Sequence, residues 1–122
     1  MIPPPDALPD DPTTLKEIIL AQRAEALRMA ASVRAYEALI QALGIQKKAA
    51  ALANRDLGVL DATIAEAIAG ACDRLIAGEM VDQFVTDFIQ GGAGTSTNMN
   101  ANEVIANLAL ESLGHRKGEY QY

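Results

Sequence analysis

Residues 91–103 read Gly-Gly-Ala-Gly-Thr-Ser-Thr-Asn-Met-Asn-Ala-Asn-Glu, a glycine-rich turn running directly into short hydroxyl and amide side chains. The glycines let the backbone take positive φ and approach a ligand closely, and the polar side chains that follow donate hydrogen bonds. From Asn98 onward an apolar pattern of helical spacing begins at Met99 and runs through Val104, Ile105, Leu108, Ala109 and Leu113. This spacing predicts a loop feeding the first turn of a helix, with Thr97 or Asn98 as its N-cap. Unpaired N–H groups and partial positive charge at such a helix start suit a small anion such as a carboxylate. Composition alone favours the plainer reading, in which Gly91 to Gly94 is a flexible turn and Thr97 or Asn98 merely an N-cap.

No phosphate fingerprint fits. Gly94 is followed by Thr95 where a P-loop needs Lys, and neither Gly91 nor Gly92 opens the glycine series of a dinucleotide-binding turn. Downstream, Gly114 supplies a helix-ending position and His115, Arg116 and Lys117 place positive charge near the helix C-terminus, where the dipole favours it. His115 reads as a capping or surface residue. Upstream, residues 79–90 alternate weakly, with Phe84, Val85, Phe88 and Ile89 around Asp82 and Asp87, and predict an extended connection with at most a short strand. The two aspartates read as solvated carboxylates rather than as an acid/base pair.

Before that connection, Asp61 offers an N-cap to a helix whose face is Ile64, Ile68, Ala71, Cys72, Leu75 and Ile76, and Gly78 ends it. The long segment further upstream starts with Asp11 as cap and Pro12 at the first helical position. Leu15, Ile19, Gln22, Ala26, Met29, Val33, Tyr36, Ile40 and Leu43 then repeat at alternating spacings of four and three, the seam of a coiled coil or long bundle helix. Such a stripe needs cover, from a second copy or from a neighbouring helix of the same chain. Gly44 either ends this helix or lies inside one that continues to about residue 56, and Gly58 stops it in both cases. Residues 1–11 hold four prolines and three aspartates and predict a disordered tail.

The chain's 122 residues allow one small domain or part of a larger one, and an Ala-dominated hydrophobic half with 4% aromatic residues suits closely packed helices. A net charge of −6 excludes a phosphate-binding surface for nucleic acid, and the acidic excess is spread over both halves of the chain. Cys72 is the only cysteine, so no internal disulfide forms, and it reads as a small buried thiol. No apolar run reaches the length of a membrane span, and the start of the chain lacks the basic residues of a signal peptide, so a cytoplasmic protein is expected. The fold class expected is mainly α: a long N-terminal helix of coiled-coil character, two further helices and a Gly-rich loop.

Residues 91–107 with the following Leu-Ala-Leu-Glu, then Gly114-His115 and the closing Lys-Gly-Glu-Tyr-Gln-Tyr of 117–122, resemble the first signature region of the aspartate ammonia-lyases in the fumarase and aspartase superfamily. Lys47-Lys48-Ala49-Ala50-Ala51-Leu52-Ala53-Asn54 and Ala69-Gly70-Ala71-Cys72-Asp73 fit the same family, so the resemblance covers residues 46–122. It divides the chain into a tail (1–11), a heptad helix (12–45) and a partial lyase N-terminal domain (46–122). Residues 1–45 lack the family's Tyr-Gly and Thr-x-Arg-Ala motif, and residues 8–43 weakly resemble the N-terminal coiled coil of an insertion-sequence transposase family.

The resemblance implies elimination of ammonia from L-aspartate to give fumarate, without a cofactor or metal, at sites assembled from three subunits of a homotetramer. Thr95 would bond a substrate carboxylate, and Gly94, Ser96, Thr97 and Asn98 would shape its pocket. None of these removes a proton at neutral pH, so no catalytic residue is assigned, and the family's Thr-His pair and flexible Gly-Ser-Ser loop are expected beyond residue 122. Two expectations follow: an N-terminal fragment of an aspartate ammonia-lyase, binding aspartate or fumarate weakly and inactive alone, or a non-enzymatic helical fusion protein associating through its coiled coil as a homo-oligomer.

Overall fold

The computed structural model describes residues 9–87 and 91–122, which form α1 (Pro12–Asp56), α2 (Ala62–Ile76), a single 3-10 turn (Val81–Gln83) and α3 (Thr95–Ser112). The architecture is all-helical among the described residues, as the sequence pattern requires. The expected tail falls mostly outside the described residues, as do Phe88 and Ile89 of the expected connection.

Helix α1 begins at its expected cap. Asp11 Oδ2 accepts from Thr14 N at 2.7 Å and from Thr14 Oγ1 at 2.6 Å, and these bonds hold the Asp11 carboxyl below the usual aspartate range. The helix ends where Gly58, at φ 72°, turns the chain back so that its N–H bonds to Arg55 O and Val59 N–H to Asn54 O. Between those points Gly44 does not interrupt it. A Cβ built on Gly44 would sit 3.1 Å from Ile76 Cγ1 and 3.2 Å from both Cys72 O and Leu75 Cβ. Gly44 thus lets α1 press against α2, and the contact offsets the roughly 1 kcal/mol that glycine costs inside a helix.

The chain divides into two compact units, Met1–Ala35 and Tyr36–Tyr122. In the first, α1 carries its apolar side chains largely into solvent: Ile19 is 61% exposed, Met29 62% and Val33 55%. In the second, the same seam continues as Tyr36, Ile40 and Leu43, and there it is covered. Ile40 is fully buried with Ala71, Cys72 and Leu75 of α2, Phe84, and Ala101, Ile105, Leu108 and Ala109 of α3. Ala71, Cys72, Ala101 and Ala109 alternate with larger side chains in the contact and let the helices approach closely, and burial of Ile40 and Leu75 contributes about 1.5–3 kcal/mol each.

Helix α2 matches its expected limits. Asp61 Oδ1 accepts from Thr63 N at 2.9 Å and Ile64 N at 3.2 Å, and Gly78 at φ 84° closes the far end. The connection that follows forms no strand among its described residues. Its backbone groups are satisfied by a side chain instead: Asn100 Nδ2 donates to Gln83 O at 3.1 Å while Asn100 Oδ1 accepts from Val85 N at 3.0 Å. One amide on α3 therefore does what a neighbouring strand would have done, and between those bonds Phe84 turns into the core. Tyr36 Oη adds a bond to Thr86 O at 3.1 Å.

Candidate functional site

The first turn of α3 starts earlier than the apolar pattern suggests. Gly94, at φ 74° and ψ 24°, is the N-cap residue, and Thr95 is already helical, so Thr97 and Asn98 lie inside the first turn and do not cap it. The reason is geometric: only glycine enters the left-handed region freely, and a left-handed Gly94 turns the glycine stretch directly into the helix. Asn98 N–H then closes the first turn on Gly94 O at 3.0 Å. Among the described residues no side chain caps this helix start, and its first turn contains no acidic residue.

The five loop residues face different surroundings. Thr95 and Ser96 are exposed, Gly94 and Asn98 are half-buried, and Thr97 is 5% exposed. Ser96 lines an open groove of about 1160 Å³ whose other walls include Thr86, Met99, Asn100, Glu103 and Tyr120. Within it the Thr86 hydroxyl is buried without a hydrogen-bond partner among the described residues. Asn98 is held from α1: Lys47 Nζ donates to Asn98 Oδ1 at 2.6 Å.

That contact gives the loop its electrostatics. Lys48, beside Lys47 on α1, is neutralised by Asp73 at 2.6 and 2.8 Å. Lys47 has no carboxylate within ion-pair distance among the described residues. An ammonium ion thus adjoins a helix N-terminus that itself carries partial positive charge, the reverse of the usual pairing. A carboxylate entering there would meet N–H groups, hydroxyls and a cation, with no fixed negative charge of the first turn to repel it.

Burial, then the charge of Asp73, pushes the Cys72 thiol up to about 11, which keeps it protonated and inert in the core. His115 follows the opposite end of α3, stacked on Tyr122 with ring centroids 3.8 Å apart and 3.9 Å from Glu119. Glu119 is held below the usual glutamate range mainly by its bonds to Arg116. Asp82 and Asp87 are exposed, and no metal-holding cluster of acidic, His or Cys residues occurs among the described residues.

A family model described as "Lyase" matches residues 19–120. The chain belongs to the lyase family. An aspartate ammonia-lyase of Helicobacter pylori is 61% identical over 87 residues, covering 71% of this chain and 19% of that protein. The Escherichia coli aspartate ammonia-lyase is 52% identical over 84 residues, covering 68% of this chain and 18% of its own length. Among solved structures, a fumarate lyase:delta crystallin from Brucella melitensis superimposes with a TM-score of 0.69 at 57% identity, over 70% of this chain and 20% of that one. The chain therefore spans about a fifth of the length of the lyases it matches, and it corresponds to their N-terminal region.

Within this lyase chain, two residues that position the loop were not singled out from the sequence. Asn100 fastens the connection before the loop, and Lys47 reaches the loop from α1. Lys47 did carry a signal: Ile40, Gly44, Lys47 and Ala51 fall at spacings of four, three and four, so the lysine occupies a core position of the helix. A cation in that register needs an acceptor across the helix packing.

Proposed function

We propose that this chain supplies the first carboxylate-binding loop of an aspartate ammonia-lyase, which converts L-aspartate to fumarate and ammonia, and that the 122-residue polypeptide alone does not turn aspartate over. One observation carries the reading: α3 starts at a left-handed Gly94 with neither a side-chain cap nor an acidic residue in its first turn. Thr95 would donate to the substrate carboxylate, with Gly94, Ser96, Thr97 and Asn98 shaping the pocket. As negative charge builds on that carboxylate during removal of the Cβ proton, fixed donors stabilise it more than they stabilise the ground state. Threonine, serine and asparagine do not take up that proton at neutral pH, so the loop binds and polarises but does not abstract.

The test is an aspartate deamination assay on the purified polypeptide, followed by the ultraviolet absorbance of fumarate, together with fumarate binding to the same protein. Binding that Thr95→Ala weakens, without turnover, is the expected result. Turnover that disappears in Thr95→Ala would overturn the inactivity, and absence of binding would remove the site assignment.

A second reading rests on a different observation, the exposed Ile19, Met29 and Val33 of α1. There the chain is a helical interaction protein of the reducing cytoplasm, associating with a second copy through the seam, with no nucleic-acid or membrane partner. No described helix is long and apolar enough to cross a membrane. Light scattering behind size exclusion separates the two cases: a dimer that Ile19→Glu and Val33→Glu dissolve supports self-association, and an unchanged monomer rules it out. The exposed positions are the informative ones, because Ile40 is fully buried in the chain's own core and its replacement would unfold the protein.

A further inference from the structure

We infer that Lys47 is a positioning residue of the carboxylate-binding loop: its ammonium fixes the orientation of the Asn98 amide so that the amide meets the substrate carboxylate with its NH2 group. The inference rests on the reading of this loop as a carboxylate site and assigns a further residue to it.

An asparagine amide has an acceptor end and a donor end of nearly equal shape, and in a solvated loop either end can face a ligand. The ammonium of Lys47 has only donors, so at 2.6 Å its partner atom must be an acceptor, which is Asn98 Oδ1. With Oδ1 committed, the two N–H groups of Asn98 Nδ2 face away from the lysine, and they donate to none of the described residues. A carboxylate accepts and cannot donate. An unfixed Asn98 would present oxygen part of the time and repel the anion, whereas the fixed one presents donors throughout. The ammonium also polarises the amide toward stronger donation and brings an unneutralised positive charge to the same turn.

Lys47 is well placed to hold this orientation. Its backbone lies on α1 in the same register as buried Ile40, Gly44 and Ala51, the residue is half-buried, and its ammonium reaches α3. A purely structural role would be to tie α1 to α3, and such a role would appear in stability without appearing in ligand selection.

The experiment uses the whole 122-residue chain and fumarate as probe, read by NMR of side-chain amides and by titration. In the wild type the Asn98 NH2 signals should move as fumarate binds. Lys47→Gln should weaken fumarate binding on the order of tenfold, the loss expected for one charge-assisted hydrogen bond. Lys47→Arg, which keeps the cation and donates only, should restore most of it. In a double-mutant cycle, Lys47→Gln should cost little once Asn98 is Ala, because the lysine acts largely through that amide. Fumarate affinity unchanged in a folded Lys47→Gln overturns the inference while leaving the loop assignment standing. Full additivity in the cycle does the same, and so do Asn98 NH2 signals that stay still in a wild type that binds, a readout needing no variant to fold. A wild type that fails to bind fumarate removes the loop assignment and this inference together.

Discussion

Helices α2 and α3 pack against one another in the same core, yet they begin in opposite ways. At α2 the chain supplies its own anion: the Asp61 carboxylate accepts from two backbone N–H groups of the first turn. At α3 the cap position holds a glycine, no described side chain closes the turn, and a lysine ammonium bonds Asn98. The first arrangement maximises helix stability. The second leaves donors and positive potential open, and glycine in place of a hydrogen-bonding cap costs roughly a few tenths of a kcal/mol. A helix start that is a poorer structural element is for that reason a better receptor for an anion, which is what the proposed carboxylate loop requires.

The contrast is tested most severely at Gly94. Its Cβ position has no neighbour within 4 Å, so a substitution there meets only the cost of φ 74°. Gly94→Val should lower stability by about 2 kcal/mol, read as a shift in urea midpoint at constant slope, since a β-branched residue is strained in the left-handed region. Gly94→Asn should cost clearly less, because asparagine tolerates that region. Equal losses would mean that something other than backbone geometry sets the start of α3.

The next effect in size belongs to the other helix. Asp61→Ala should cost about 1 kcal/mol, the usual value for removal of a hydrogen-bonded N-cap. Thr95→Ala, although it sits in the first turn of a helix of similar length, should leave stability almost unchanged because no cap is lost there. A loss at Thr95 matching that at Asp61 would break the comparison, since α3 would then rely on its loop for structure as α2 relies on its cap.

Much of this was legible in the sequence, and the parts that were not share a cause. The cap at Asp61, the stop at Gly78, the apolar face from Ile64 to Ile76 and the Asp11-Pro12 start of α1 depend on residues a few positions apart, and local chemistry fixes them. Gly44 could not be decided locally. A glycine that ends a helix and a glycine that admits a neighbouring helix look alike until Cys72, Leu75 and Ile76 are known to lie against it. The start of α3 was set too late because Thr97 and Asn98 are good capping residues, while the left-handed turn at Gly94 gave no polar signal. The Lys47 contact spans 51 positions along the chain, and the missing strand was replaced by the Asn100 amide, again from a separate element. Polar contacts across helix packing are specified by tertiary geometry, and periodicity does not report them.

The smallest effect on stability is the most discriminating one. Thr95→Asp gives α3 a carboxylate at its start, as the Asp61 cap gives α2 one, facing a helix dipole whose first turn holds no acid. It should raise stability by about 0.5 kcal/mol near neutral pH. The sign with pH follows from the same interaction: the helix start and Lys47 favour the ionised form, so the new carboxyl titrates below the usual aspartate value of about 3.9. The gain is therefore complete above that value and disappears as the pH falls through the lower folded value. Fumarate binding should move the other way and be lost, because the introduced carboxylate occupies the donors that the ligand needs and repels it. A variant that is more stable and still binds fumarate as the wild type does would show that the open helix start and the ligand site are separate places, and the cost borne at α3 would need another explanation.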